Sequence, residues 1–378
     1  MIIKDALVFK DGQFEKGDVC TEGGLISQSS SDGRIIDAHD LYLLPGFVDL
    51  HFHGADNADF MDGDLEQLIK LAEYEAKNGI TSIAPASMTM SRECILKSIR
   101  TAVLYKKLFE SKHKACASLE GIYLEGPFVS EKKLGAQNPD YVLKPSKTAL
   151  KEFLDSAEGL IKVVVIAPEK EGALELIESF KDRVVFSLGH SDSDYETATQ
   201  AMNCGLSQLT HTFNAMNPFL HRKPGPIGAA CDSENTVCEI ITDGIHVHSS
   251  WVRALFKLKN AESIVMVSDS MMATGLCDGE YSLGGQRVMV KGRRATLENG
   301  VIAGSASNLY DCFKNAVLNM NIPLGRAVLA CTQNPARVLK IDHFAGKIEK
   351  NYRADLLIAD RELNLKGVIL RGELLYLL

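Results

Sequence analysis

No run of 18 consecutive apolar residues occurs in this 378-residue chain, so no transmembrane helix is expected. The opening residues, MIIKDALVFKDGQFEK, carry charges inside their first apolar stretch, so they do not read as a secretory signal. An excess of positive charge is also missing. The net charge of −8 argues against nucleic acid as a main partner and against a basic membrane-surface role. The nine cysteines are scattered from Cys20 to Cys331 and never form Cys-x-x-Cys. That argues against a disulfide framework or a zinc-thiolate site and fits the reducing cytoplasm. Internal repeats, low-complexity tracts and flexible linkers are absent. What is present is an ordinary globular composition, 46% hydrophobic and 24% charged, in a chain long enough for one large domain and a small one.

The two ends resemble each other. Residues 1–44 read as short strands broken by turns at Asp11-Gly12 and Gly23-Gly24, and residues 345–378 carry the similar segments ADLLIAD and GVILRGELLYL. One small β-sandwich domain built from both termini is expected. The middle, 45–344, alternates. Apolar runs at 46–52, 80–86, 118–124, 161–167, 184–189, 207–213, 236–242 and 263–269 read as buried strands, with helical patterns between most of them. DLEQLIKLAEYEAKNG places Leu65, Leu68, Ile69 and Ala72 at helical spacing, and Gly79 stops it. SRECILKSIRTAVLYKKLFE gives a second helix. Eight such strands predict a (β/α)8 TIM-type barrel, although an open doubly wound sheet leaves a similar trace. Two features favour the barrel: no Gly-x-Gly-x-x-Gly follows the first strand, and polar residues sit at many different strand ends. A Gly-rich alternating stretch at about 280–303 reads as a hairpin inserted after strand eight.

The stretch LLPGFVDLHFHG (43–54) ends in His51 and His53. With side chains alternating at period two, both imidazoles would face the same way. Other strand ends supply similar chemistry: Glu125 in GIYLEGPF, His190 in FSLGHSD, His211 in LTHTFNAMNP, His246 in ITDGIHVH and Asp269 in VMVSDS. In a barrel these ends share one face. Imidazoles plus a carboxylate, without thiolate, match a divalent ion such as zinc, iron or manganese. Such an ion acidifies bound water and polarises a carbonyl, and Asp269 is the natural general acid/base. Metal-assisted hydrolysis of an amide, ester or related bond is the implied reaction class.

The motifs PGFVDLHFHG, LEGPF, GHSDSDY, THTFNAMNP, RKPGPIGAA, TDGIHVH, SDSMMATG, AGSAS and NPARVL span nearly the whole chain in order. By them the chain resembles the amidohydrolase superfamily and, within it, the N-acetylglucosamine-6-phosphate deacetylases. The resemblance implies a principal metal at Glu125, His190 and His211, and a second at His51 and His53, so one or two ions per chain. It implies Asp269 as acid/base and Asn214 and Ala215 beside a sugar phosphate. Arg222 and His246 would bind phosphate from the partner subunit of a homodimer. It implies deacetylation of N-acetylglucosamine 6-phosphate, with N-acetylgalactosamine 6-phosphate or another acylamino sugar phosphate as the alternative substrate. A non-catalytic metal-binding protein is the alternative of a different class. One departure stands out: in KKLGAQNP (132–139), Gln137 occupies the place of a family histidine that contacts the substrate acetamide. The loop around it has the composition of a mobile lid.

Overall fold

The computed structural model describes residues 1–109, 112 and 115–378. The barrel strands are Phe47–Asp49, Ile80–Ile83, Ile122–Phe128 (led in by Ser118–Leu119), Ile161–Ile166, Val185–Leu188, Gln208–Leu209, Val237–Ile241 and Ile264–Val267. Each pairs in parallel with the next in chain order. The end of the eighth reaches the first where Asp269 N–H donates to His51 O at 3.0 Å and His53 N–H to Ser270 O at 2.7 Å.

The helices follow from local sequence. In Leu65–Lys77, Asp64 caps the first turn by accepting from Glu66 N and Gln67 N, and Leu68, Leu71, Ala72 and Ala76 form the buried stripe. Gly79, at φ 85°, then turns the chain into strand two. The second expected helix runs over Arg92–Leu104, continues as a π-helical turn over Tyr105–Phe109, and its last expected residue, Glu110, lies outside the described residues. Inside the barrel, Val48, Leu50, Ala84, Tyr123, Val163, Val165, Ile241, Val265 and Val267 pack together with Ala336 and Leu339. Asn334, on the helix Gln333–Val338, donates to Ile264 O at 2.7 Å and holds that helix at the start of strand eight. The bottom of the barrel is therefore plugged, and open chemistry is left to the opposite face.

The terminal strands form one continuous hydrogen-bonded sheet of eight strands, with its own core of Ile3, Val8, Val19, Ile36, Leu43, Leu356, Ile358 and Ile369. Its pivot is Ile2–Lys10, which pairs with Ile35–Asp37 at one end and with Tyr42–Pro45 further along. A register irregularity between Ile3 and Ala6 lets this strand bend and serve both halves. Leu356–Ala359 adds antiparallel to Tyr42–Pro45, which joins the C-terminal strands to the N-terminal ones.

The inserted segment also departs from expectation. It is a three-stranded antiparallel sheet, Gly279–Leu283, Gln286–Lys291 and Arg294–Leu297, not a single hairpin. Two tight turns make it: Gly284-Gly285 closes the first, and a second with Gly292 at φ 59° closes the other.

Arg353 fastens the C-terminal segment to the barrel. Its guanidinium is 13% exposed, lies 2.5 Å from Glu120 Oε1, and also pairs with Asp355 and Ser82. Replacing it with Met should leave two acidic groups short of a partner, at a cost of about 3 kcal/mol. The figure is held to the low end because Lys106 remains 3.3 Å from Glu120. Equilibrium denaturation of Arg353→Met measures this; an unchanged midpoint would mean the cluster contributes nothing net.

Candidate active site

Glu125 lies within strand three, whereas His51, His53, His190, His211 and Asp269 lie just beyond their strands. Strand one stops at Asp49, so strand alternation does not align His51 with His53. Their rings meet edge to face instead, with centroids 5.6 Å apart. His190, His211 and Asp269 all adopt positive φ, at 48°, 28° and 50°. That region is sparsely occupied by residues with a side chain and costs on the order of 1–3 kcal/mol each. At Gly126, φ 88°, a side chain would be strained and would displace Thr89, because a Cβ there would lie 2.1 Å from Thr89 Oγ1. Glu125, next to it, thus sits where backbone and Thr89 nearly touch.

Glu125 is the hub. Its Oε1 is 3.1 Å from both His190 Nε2 and His211 Nε2, and 3.4 Å from His51 Nε2. Its Oε2 is 3.3 Å from His53 Nε2 and 2.8 Å from Gln137 Nε2. Asp269 Oδ1 stands 3.2 Å from His53 Nε2 and 3.9 Å from His51 Nε2. Burial works against ionising Glu125, but His51, His190 and His211 outweigh it and hold its carboxyl well below the usual range. Burial likewise opposes a charge on Asp269, yet His53 and His51 keep it below the ordinary carboxylate value. Burial opposes charge on the two imidazoles too. Glu125 and Glu239 still hold His51 well above its ordinary pKa, and Asp269 and Glu125 push His53 up to about 10.

The tautomers reveal what the cluster needs. His190 Nδ1 faces Lys133 O at 3.0 Å and His53 Nδ1 faces Ala86 O at 3.2 Å. His51 Nδ1 faces Glu239 Oε2 at 3.0 Å. Each of these partners only accepts, so each Nδ1 carries the proton; at Nε2 the positive charge that Glu125 demands comes either from a second proton, in keeping with the raised pKa of His51 and His53, or from an ion that takes the proton's place and meets a lone pair. His51 Nε2 is buried with no hydrogen-bond partner. Lone pairs facing a carboxylate require a cation between them. His190 Nε2 and His211 Nε2 are 3.1 Å apart. An ion with bonds of ~2.0–2.1 Å holds tetrahedral donors roughly 3.3 Å apart, so the spacing fits. Two triads, Glu125–His190–His211 and His51–His53–Glu125, each bring their ligand atoms within 4.8 Å of one another, and Glu125 is common to both.

Two residues of the site were not foreseen. Glu239, 0% exposed in the middle of strand seven, accepts from His211 N–H at 3.0 Å and from Gln208, and it orients His51. Tyr123 stacks on His51 at 4.2 Å and bonds Thr210 Oγ1 at 2.9 Å. A charged residue inside the otherwise apolar TVCEIIT was the available signal for Glu239.

Above the cluster lies a cavity of about 210 Å³, lined by His53, Glu125, Gln137, His190, His211, Asn214, Ala215, His246 and Asp269, with Met88, Leu283 and Ile302 as its apolar wall. His246, expected from a partner subunit, lines its own chain's cavity, because Asp243 Oδ2 holds its Nδ1 at 2.8 Å. Burial opposes its charge, but Asp243, with Asp269 behind it, raises its pKa. Arg222 is exposed on a loop and does not line this cavity. His248 caps the helix Ser249–Leu258 instead of reaching the site. The loop expected as a mobile lid is tied down: Ser130 N–H donates to His190 O at 2.8 Å, and Gln286 Nε2 from the inserted sheet donates to Ala136 O at 2.5 Å.

A barrel that gathers imidazoles and carboxylates at the carboxyl ends of its strands has the architecture of a hydrolase built around divalent ions. The chain belongs to the amidohydrolase family, whose model matches residues 42–375. It is 34% identical to the N-acetylglucosamine-6-phosphate deacetylase of Bacillus subtilis (strain 168), covering 100% of this chain and 97% of that one. It is 31% identical to the N-acetylgalactosamine-6-phosphate deacetylase of Escherichia coli O157:H7, covering 88% and 87%. Among solved structures, the N-acetylglucosamine-6-phosphate deacetylase of Thermotoga maritima superposes with a TM-score of 0.88 at 31% identity, covering 100% of both chains. A variant of the Mycobacterium smegmatis enzyme in complex with N-acetyl-D-glucosamine-6-phosphate superposes with a TM-score of 0.91 at 27% identity, covering 99% of both chains.

The shared carboxylate makes a prediction about ion content. Protein purified without added metal should carry one to two divalent ions per chain by elemental analysis. His53→Ala should leave the Glu125–His190–His211 ion in place, whereas Glu125→Ala should strip both sites. Full ion content in Glu125→Ala would reject Glu125 as the common ligand.

Proposed function

We propose that this chain hydrolyses the acetamide of N-acetylglucosamine 6-phosphate, giving glucosamine 6-phosphate and acetate. The observation that carries the reading is Asp269, buried 3.2 Å from His53 beside the Glu125 cluster, in a chain that aligns along its whole length with the Bacillus deacetylase. One or two divalent ions, of which zinc, iron and manganese suit these donors, would supply polarisation of the amide carbonyl and acidification of water. Asp269, ionised at neutral pH, takes the proton of the attacking water at a carboxylate oxygen and delivers it to the departing amine nitrogen. The C–O bond forms first, the C–N bond breaks once the nitrogen holds that proton, and the second proton of the water leaves from the acetic acid to give acetate and the ammonium form of the sugar. His51, His53, His190, His211 and Glu125 hold the cation; Asn214, Ala215 and Gln137 border the substrate.

The 31% match to a galactosamine-type deacetylase supports the epimeric substrate as the second reading. We further propose a homodimer, in which exposed Arg222 serves the cavity of the second copy as a forked phosphate ligand while His246 serves its own. The scattered cysteines, none of them in a Cys-x-x-Cys pair, support a cytoplasmic setting. Among the described residues no helix is long and apolar enough to cross a membrane.

Purified protein should release acetate from N-acetylglucosamine 6-phosphate faster than from its galactose epimer or from the unphosphorylated sugar. Asp269→Asn should retain fold and ions yet lose on the order of 10²–10⁴ in turnover. A normal rate in that variant would reduce Asp269 to a structural role.

The dimer reading has its own test. Arg222→Ala should raise KM for the phosphorylated sugar alone, by the ~1.5–3 kcal/mol of a charge-assisted pair. Mixed under subunit exchange, Arg222→Ala and Asp269→Asn proteins should recover part of the activity; proven exchange without recovery would place Arg222 at its own chain's site.

A further inference from the structure

Gln137 is 3% exposed, and both ends of its amide are engaged. Its Oε1 accepts from Thr89 N–H at 2.6 Å, and its Nε2 donates to Glu125 Oε2 at 2.8 Å. The orientation of the amide is fixed by chemistry. Thr89 N–H can only donate and an ionised Glu125 can only accept, so the flipped amide would oppose donor to donor and acceptor to acceptor. A backbone N–H after strand two is thereby wired through a neutral amide to the hub carboxylate, and each bond polarises the next. The loop that carries Gln137 is itself held. Lys133 O accepts from His190 Nδ1 at 3.0 Å, and Gln286 grips Ala136 O. Glu125 has two oxygens and many neighbours; what decides which oxygen faces which imidazole is the rotation of its carboxylate. The donor on Oε2 fixes that rotation and leaves Oε1 to His190 and His211.

We infer that Gln137 is a positioning residue for the ion-holding carboxylate Glu125, and not chiefly a contact to the substrate's acyl group. This rests on the reading of Glu125, His190 and His211 as a metal centre. Its carbonyl end is occupied by Thr89, and the N–H that points at Glu125 is spent there.

The test measures zinc alone, without substrate. Metal-stripped parent, Gln137→Met (similar length, no donor) and Gln137→Ala (a second donor-less variant, should the first fail to fold) compete with a chromophoric chelator for zinc. The donor-less variants should hold zinc ten- to a hundredfold more weakly, the scale of losing an outer partner of a ligand. With zinc saturating, their KM for N-acetylglucosamine 6-phosphate should rise by a smaller factor than their zinc affinity falls. Gln137→His, which keeps a ring N–H, should lie between them and the parent. Unchanged zinc affinity with a raised KM would overturn the inference in favour of a substrate contact. Unchanged zinc affinity and unchanged KM would overturn it in favour of simple packing. A parent that itself binds no zinc is a separate result, which overturns the metal reading of the site and this role with it.

Discussion

A single buried carboxylate governs this molecule. Glu125 is surrounded by four imidazoles whose Nε2 atoms all approach it within 3.4 Å. Three of those rings have their other nitrogen committed to an acceptor on a different element: Glu239 in strand seven, Ala86 beyond strand two and Lys133 in the loop after strand three. The rings cannot turn away without abandoning those bonds, and Glu125 cannot leave without leaving lone pairs to face each other. Such an arrangement is stable only with positive charge inside it, which is why it reads as a cation site and not as an ordinary polar core.

The rest of the fold can be understood as what holds that arrangement. The barrel delivers the residues to one face, but its strands stop short, and the last placement is done by backbone in the left-handed region at His190, His211 and Asp269. Strain of that kind persists only where neighbours over-determine the conformation. Here the neighbours are identifiable. Glu239 receives the N–H of His211 itself, Ser130 binds His190 O, and Asp269 N–H closes the barrel against His51 O. The same hydrogen bond that brings strand eight to strand one therefore also fixes Asp269, the proposed general acid/base.

Much of this was legible in the sequence because it depends on short-range pattern. Eight apolar runs separated by amphipathic stretches specify a barrel, and polar residues at the ends of apolar runs mark its working face. What was hidden depends on contacts between distant segments. The two partners of Gln137, Glu125 and Thr89, lie 12 and 48 residues before it in sequence. The position of His246 is decided by Asp243 on its own loop, against the expectation of a partner subunit. The pairing of His51 with His53 was anticipated for the wrong reason: the strand ends before either residue, and irregular backbone brings the rings together at nearly a right angle. The inserted segment was underestimated because one turn was read where two glycine turns exist.

The charge inside the cavity adds a final constraint on the proposed chemistry. Among the described residues that line it, Glu125 and Asp269 are acidic, and there is no lysine or arginine. A sugar phosphate carries further negative charge into this space. At distances of a few ångströms and low dielectric that encounter is repulsive unless cations compensate it. The bound ions would offset Glu125 and Asp269. His246, whose pKa Asp243 raises against the opposing effect of burial, faces the remaining space. Even a charged imidazole there leaves a deficit against a dianionic phosphate, and no lysine or arginine lines the cavity to meet it. The missing charge must come from beyond that lining. Arg222, exposed on the loop that follows His211 and Asn214, is of the right type, and the proposed dimer would be the means of bringing it across.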